Sequence, residues 1–216
     1  GFVYGQQKML AQYNCSGDWA FYLEGDEGLH EDDMFHIRKS MEDNLSNLEV
    51  EALYFDFFHF YGTPKQIGIS GYRKAPRIIR NSIRSIAPDG LFWIVMEKNK
   101  RGRYPKAKHA NGRIYHYGHC RSVEKMNKKL MQVGKYWGAS HEAFQGYGSI
   151  DVAELRPFDG DHPKVMEHWL KTEAERVFQP DPSYKLSRRD YRNRIRFWLE
   201  DKLHLEFSKK HYTAIK

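Results

Sequence analysis

Three carboxylates, Glu24, Asp26 and Glu27, fall within four positions directly after the apolar run Trp19–Leu23. A single carboxylate in such a place is explained by water. Three at alternating and adjacent positions repel one another, and a hard divalent cation relieves that repulsion. The β-favouring Trp, Phe and Tyr before them predict a buried strand over Trp19–Glu27. Carboxylates where a buried strand emerges sit at a sheet edge, where a crevice can hold a ligand.

Other side chains with chemistry are more scattered. His116 and His119, in YHYGHC, are three apart, so on a strand they point to opposite faces and at most one meets a crevice. The alternative is that His116 packs between Tyr115 and Tyr117 with its nitrogens hydrogen-bonded. With His109 and Cys120 these residues invite a zinc reading, but the paired-ligand spacing of a structural zinc site is lacking. Arg77, Arg80 and Arg84 carry guanidinium forks suited to phosphate, although solvated surface positions explain them equally well. Arg77 and Arg80 face opposite sides of a strand and do not form one patch. Asp89 sits in Pro-Asp-Gly, a common turn.

The elements that must position these groups read as alternating helices and strands. Residues 1–15 predict a helix with Met9, Leu10 and Tyr13 on one face, broken by Ser16-Gly17-Asp18. Asp32 or Asp33 caps a second helix, with Met34, Ile37, Met41, Leu45 and Leu48 at helical intervals. Strands follow at Glu51–Tyr61, Tyr72–Asn81 and Arg113–Tyr117. Residues 96–112, rich in Lys, Arg and Gly, predict a mobile surface loop. Ser122 caps a helix with the stripe Val123, Met126, Leu130, Val133 and Trp137. Another helix is expected over Asp161–Phe178, with Pro163 at an early turn. Pro180 and Pro182 mark a break before a last helix over Ser187–Lys209.

At 216 residues the chain can bury one large core. Its 29% charged residues, and the lack of any run of 18 apolar ones, exclude a membrane-spanning helix. Cys15 and Cys120 give neither a disulfide framework nor a Cys-x-x-Cys pair, which suggests a reducing, cytoplasmic compartment. A net charge of +7 favours anionic partners: nucleotide diphosphates, anionic lipid or nucleic acid. The basic residues are dispersed and no recognition motif accompanies them, which argues against nucleic acid. The chain begins with Gly1 and not Met, as a processed or truncated chain would.

The stretch CSGDWAFYLEGDEGLHEDD (15–33) resembles the centre of a family-two glycosyltransferase of the GT-A type. Further likeness lies in EALYFDFFHFYG (51–62), RIIRN (77–81), IYHYGHCR (114–121) and FDGDHPKVM (158–166), so that it spans roughly residues 1–170 in the order met along the chain. Glu24 stands where the first Asp of that family usually stands. The resemblance implies a partial GT-A-like α/β fold, a mixed sheet flanked by helices, lacking most of the N-terminal nucleotide-binding half. It implies a domain over 1–178 holding the catalytic centre and the acceptor side, followed by a basic helical segment over 179–216.

The implied activity moves a sugar, with inversion, from a nucleotide-diphosphate donor to a glycan or lipid-linked acceptor. Asp26 and His116 become the implied ligands of Mn²⁺ or Mg²⁺, and Glu24, Glu27 and Arg80 the implied donor contacts. Asp89 becomes the base for the acceptor hydroxyl. His162 belongs to a matched motif and has no assigned role beyond starting a helix.

Lys185–Arg196 holds six basic residues against one acid, and Tyr191, Ile195, Trp198, Leu199 and Leu203 share a helical face. A basic amphipathic helix with Trp reads as an anionic membrane surface contact, here at the inner membrane face, unless the stripe packs on its own domain. Two alternatives to the enzyme stand beside it: a non-catalytic glycan-binding or assembly domain derived from a transferase, and a basic nucleic-acid-binding module.

Overall fold

A computed structural model describes residues 2–137, 143–172, 174 and 177–215. The first half runs α1 (Phe2–Tyr13), β1 (Trp19–Phe21), β2 (Glu27–Leu29), α2 (Glu31–Asp43), β3 (Ala52–Tyr61), β4 (Thr63–Gly68) and β5 (Lys74–Arg80). The rest runs β6 (Ser85–Ile86), β7 (Ile94–Met96), β8 (Gly102–Arg103), β9 (Lys106–His119), α3 (Val123–Trp137), β10 (Leu155–Pro157), α4 (Glu167–Thr172), α5 (Arg188–Leu203) and β11 (Thr213–Ala214). The protein is mixed α/β, as expected, with parallel and antiparallel pairings in one sheet.

The chain divides elsewhere than at residue 178. One compact unit comprises Gly1–Phe57, Lys74–Ile114 and Lys210–Lys216; the second comprises Phe58–Arg73 and Tyr115–Lys209.

In the first unit β5 lies between β1 and β3, antiparallel to both, with Ala20 opposite Ile79 and Leu53 opposite Ile78. Every residue from Ala75 to Arg80 is buried, as a strand covered on both faces requires. Leu53, Phe55, Ile78 and Ile79 are completely buried among these strands. The expected strand over Trp19–Glu27 is shorter than its apolar run. Pairing ends at Phe21, Leu23 is exposed, and the acidic residues form a turn into β2.

Residues 106–112, expected as part of a mobile loop, open β9. Ala107 and Ala110 are fully buried, small residues among long side chains that composition conceals. β11 pairs with β9 in parallel, Thr213 opposite Lys106.

The helices of this unit turn polar rows inward. The expected face of α1 is largely outside, with Leu10 and Tyr13 exposed; Gly5, Lys8 and Gln12 are buried. In α2, which His30 caps by accepting from Asp32 N–H, the buried residues are Asp33, Ile37 and Ser40, while Met34 is exposed, as are Leu45 and Leu48, which lie beyond the end of the helix. Each inward polar group has a partner: Asp33 accepts from the Arg113 N–H at 2.9 Å, and Gln12 bridges Ser85 and the Trp93 indole. A satisfied polar group can occupy an interior position that periodicity assigns to an apolar one.

The second unit holds a tight β3–β4 turn at Gly62 and the antiparallel pairing of β4 with β10. Its core is aromatic: Phe60 stacks on Tyr117 at 4.7 Å, with Phe158, Met166 and Trp169 around them. Such ring pairs add about 0.5–1.5 kcal/mol beyond burial. Cys120 is fully buried in this cluster, a small apolar residue with a free thiol. The helix expected over Asp161–Phe178 starts after Pro163, as one 3₁₀ turn leading into α4, which ends at Thr172; residues 173, 175 and 176 lie outside the described residues, and Val177 and Phe178 are not helical. α5 belongs to this unit, held by the Arg194–Asp151 ion pair at 2.7 Å.

Candidate functional site

The acidic turn after β1 is built around a cation, and that cation is Arg77 on β5. Its guanidinium is fully buried and closes on the equally buried Glu27 carboxylate, with Nη2 at 2.6 Å from Oε1 and Nε at 3.0 Å from Oε2. Nη2 also reaches Glu24 Oε1 at 3.3 Å, and the Glu24 N–H donates to Glu27 Oε2 at 3.1 Å. Arg77 thus supplies for Glu24 and Glu27 the charge that the sequence suggested a metal would bring. Glu27 is a structural partner here and not a donor contact, because its carboxylate is sealed from solvent. Charge pairing of this quality offsets the desolvation of burying both ions.

The same guanidinium joins a second segment to the turn. Arg77 Nη1 donates to the Leu91 carbonyl at 3.0 Å, and the buried Lys8 ammonium donates to the Gly90 carbonyl at 3.2 Å. Lys8 lies 3.5 Å from the Trp93 ring centroid and 4.5 Å from that of Tyr22. Burial holds its pKa well below the ordinary lysine value, helped by the charge of Arg77. Glu24 is shifted upward by burial, against the pull of Arg77, and Tyr22 rises to about 12, first by burial and then by Glu24.

Asp89 lies in the segment so held. Its Oδ1 accepts from the Leu91 N–H at 2.7 Å and caps the turn that its sequence suggests. Gly5 of α1 meets this loop closely: a Cβ there would stand 2.3 Å from the Ala87 carbonyl oxygen. Glu24, Asp26, Glu27 and Asp89 therefore fall in one unit, where Arg77 ties the acidic turn to the Asp89 loop and Lys8, which sequence reasoning missed altogether, holds the loop from α1. A lone lysine on a helix carries no signal of burial.

Arg80 does not join them. It is buried on the far side of β5, stacked over Trp19, and its guanidinium donates to the carbonyls of Val50, Leu45, Asn44 and Asn47. Its expected phosphate contact is replaced by a structural role, since those carbonyls end α2 and the loop after it. Arg84 is exposed.

His116 belongs to the second unit, whereas Asp26 belongs to the first. It lines a cavity of about 280 Å³ with His59, Phe60, Tyr61, Tyr72 and His119. His116 and His119 line the same cavity, against the alternation expected of a strand, because the chain turns at the end of β9, where Cys120 N–H donates to the Tyr117 carbonyl. His59 Nε2 is 2.7 Å from the Tyr72 carbonyl, which can only accept, so that nitrogen carries a proton. In the neutral ring Nδ1 then accepts from His116 Nδ1 at 2.9 Å. His162 has a definite place as well: its Nδ1 lies 2.8 Å from the Tyr117 hydroxyl.

Among the described residues no group of three or more His, Cys, Asp or Glu is arranged to hold a metal ion. Mg²⁺ and similar ions often take only one or two protein carboxylates and complete their shell with water and substrate phosphates. The carboxylates of the acidic turn have that hard-oxygen chemistry. None of the described helices is long and apolar enough to cross a membrane. No protein-family model matches this chain, and neither a curated protein nor a solved structure matches it.

Proposed function

We propose that this chain carries the catalytic centre of a metal-dependent glycosyltransferase using a nucleotide-diphosphate sugar. One observation carries the reading: the Arg77–Lys8 network holds the Asp26 turn and the Asp89 loop together in the first unit. Asp26 would hold Mn²⁺ or Mg²⁺, which would neutralise charge on the departing diphosphate. Glu24, shifted upward, suits a hydrogen bond to a donor hydroxyl. Asp89, with Oδ1 engaged by backbone, would take the acceptor proton at Oδ2. The acceptor oxygen then attacks the anomeric carbon, and the bond to the diphosphate breaks with its electron pair on the leaving group. A glycan or lipid-linked alcohol is the acceptor class.

Isothermal titration of the full natural chain with nucleoside diphosphates, with and without Mn²⁺, tests this. Mn²⁺-dependent binding that Asp26→Asn weakens at least tenfold is expected. Equal binding by the variant, or none by the wild type, overturns the proposal.

The ring-lined cavity around His59, Tyr61 and Tyr72 favours one second reading, a glycan-binding domain without transfer. Saccharide binding that needs neither nucleotide nor metal, and that Tyr72→Ala abolishes, would support it.

A further inference from the structure

The helix α5 is docked the wrong way round for an ordinary amphipathic helix. Its inward residues are Asp190, Phe197 and Glu200, and the contacts that fix it are polar. Glu200 accepts from Arg73 at 2.6 Å and from the Phe207 N–H at 2.8 Å, Asn193 donates to Glu154, and Arg194 forks onto Asp151. The apolar row is left outside: Tyr191, Ile195 and Trp198 are 57%, 61% and 59% exposed, and Leu203 ends the helix equally bare.

Positions 191, 195 and 198 recur at helical spacing and form one stripe. Exposed Lys202 lies within it and exposed Arg188 beside it, while the exposed Arg192 and Asp201 each stand roughly a quarter turn away, on opposite sides. Two of the acids of the helix, Asp190 and Glu200, are buried with partners, so the outward face is basic as well as apolar.

We propose that this face of α5 docks the protein on an anionic lipid surface, with Tyr191, Ile195 and Trp198 entering the interface and Arg188 and Lys202 meeting lipid phosphates. Aromatic rings and long basic side chains are the residue types that settle at a membrane boundary. Charge complementarity selects this occupant. A symmetric second copy would bring the same bases face to face. Nucleic acid would leave Ile195 without an apolar partner. The surface is independent of the transferase reading, and either can fail alone.

Co-sedimentation of the full chain with phosphatidylcholine vesicles, with and without phosphatidylglycerol, tests the proposal. Binding to the anionic vesicles that falls with added salt is expected. The exposed-residue variant Arg188→Glu/Lys202→Glu should lower the partition coefficient at least about tenfold while its thermal melt is unchanged. Trp198→Phe should still bind but lose the blue shift of emission that vesicles produce. Equal binding to both vesicle types, no effect of the charge reversal, or self-association or oligonucleotide binding through this face in place of vesicle binding overturns it.

Discussion

Arg77 and Glu27 form a buried, two-pronged ion pair whose side chains are both 0% exposed, and this pair sets the shape of the acidic turn. Removing one partner leaves the other charged without a counterpart. Arg77→Met is expected to destabilise the protein by about 3–5 kcal/mol. Arg77→Met/Glu27→Leu should recover much of that loss. Urea unfolding of the two variants measures the difference, and equal losses would show that the pairing is not what holds the turn.

Arg80 separates charge from geometry. Arg80→Lys keeps the positive charge but cannot reach four carbonyls, so buried acceptors lose their donors. A loss of roughly 2–4 kcal/mol is expected. Nucleotide affinity, measured by titration, should be unchanged, because the side chain serves α2 and its following loop and not a ligand.

Gly5→Ala tests the coupling of α1 to the Asp89 loop. The added methyl would stand 2.3 Å from the Ala87 carbonyl oxygen, so the loop has to move. Overpacking of this kind costs about 1–3 kcal/mol. On the transferase reading the turnover falls further than the stability does, since the displaced loop carries Asp89. Thermal melts and transfer assays on one preparation compare the two.

His109 and Asp56 predict a two-sided pH response. His109 Nε2 lies 3.0 Å from Asp56 Oδ2. The hydrogen bond to Asp56 raises the His109 pKa, in spite of burial. Burial pushes Asp56 upward, but the hydrogen bond and charge of His109, together with Lys74, outweigh it and hold Asp56 below its usual range. The raised imidazole stabilises fully below its unfolded value near ~6.5 and loses that contribution as pH climbs through its folded value. The depressed carboxylate stabilises above ~3.9 and loses its share as pH drops through its folded value. Both groups are partly exposed, so the amplitude should stay below about 1 kcal/mol. His109→Gln should flatten the alkaline limb of stability against pH; an unchanged limb would rule the pair out as its source.

How far the sequence could be read depended on the element. The aromatic run of Glu51–Tyr61 and the paired isoleucines of Tyr72–Asn81 marked β3 and β5 to within a few residues, because strands covered by neighbours are written in their own side chains. Lys106–Gly112 hid its strand, because alanine at the buried positions gives a weak apolar signal among long side chains. The acidic turn was recognisable as a charge cluster, but its counter-ion was not, since Arg77 lies fifty residues beyond Glu27 and its burial comes only from the pairing of β1, β5 and β3.

Local periodicity and composition already spell out a mixed α/β chain with a basic last helix, and where carboxylates and imidazoles cluster along it. Which face of each helix goes inside is set by contacts between distant segments. Lys8, Asp33 and Glu200 are buried because distant carbonyls, amides and guanidinium groups meet them there, while Leu10, Met34 and Trp198 face solvent. Hydrophobicity is a property of each residue, but the satisfaction of a buried polar group depends on partners that folding alone brings within reach.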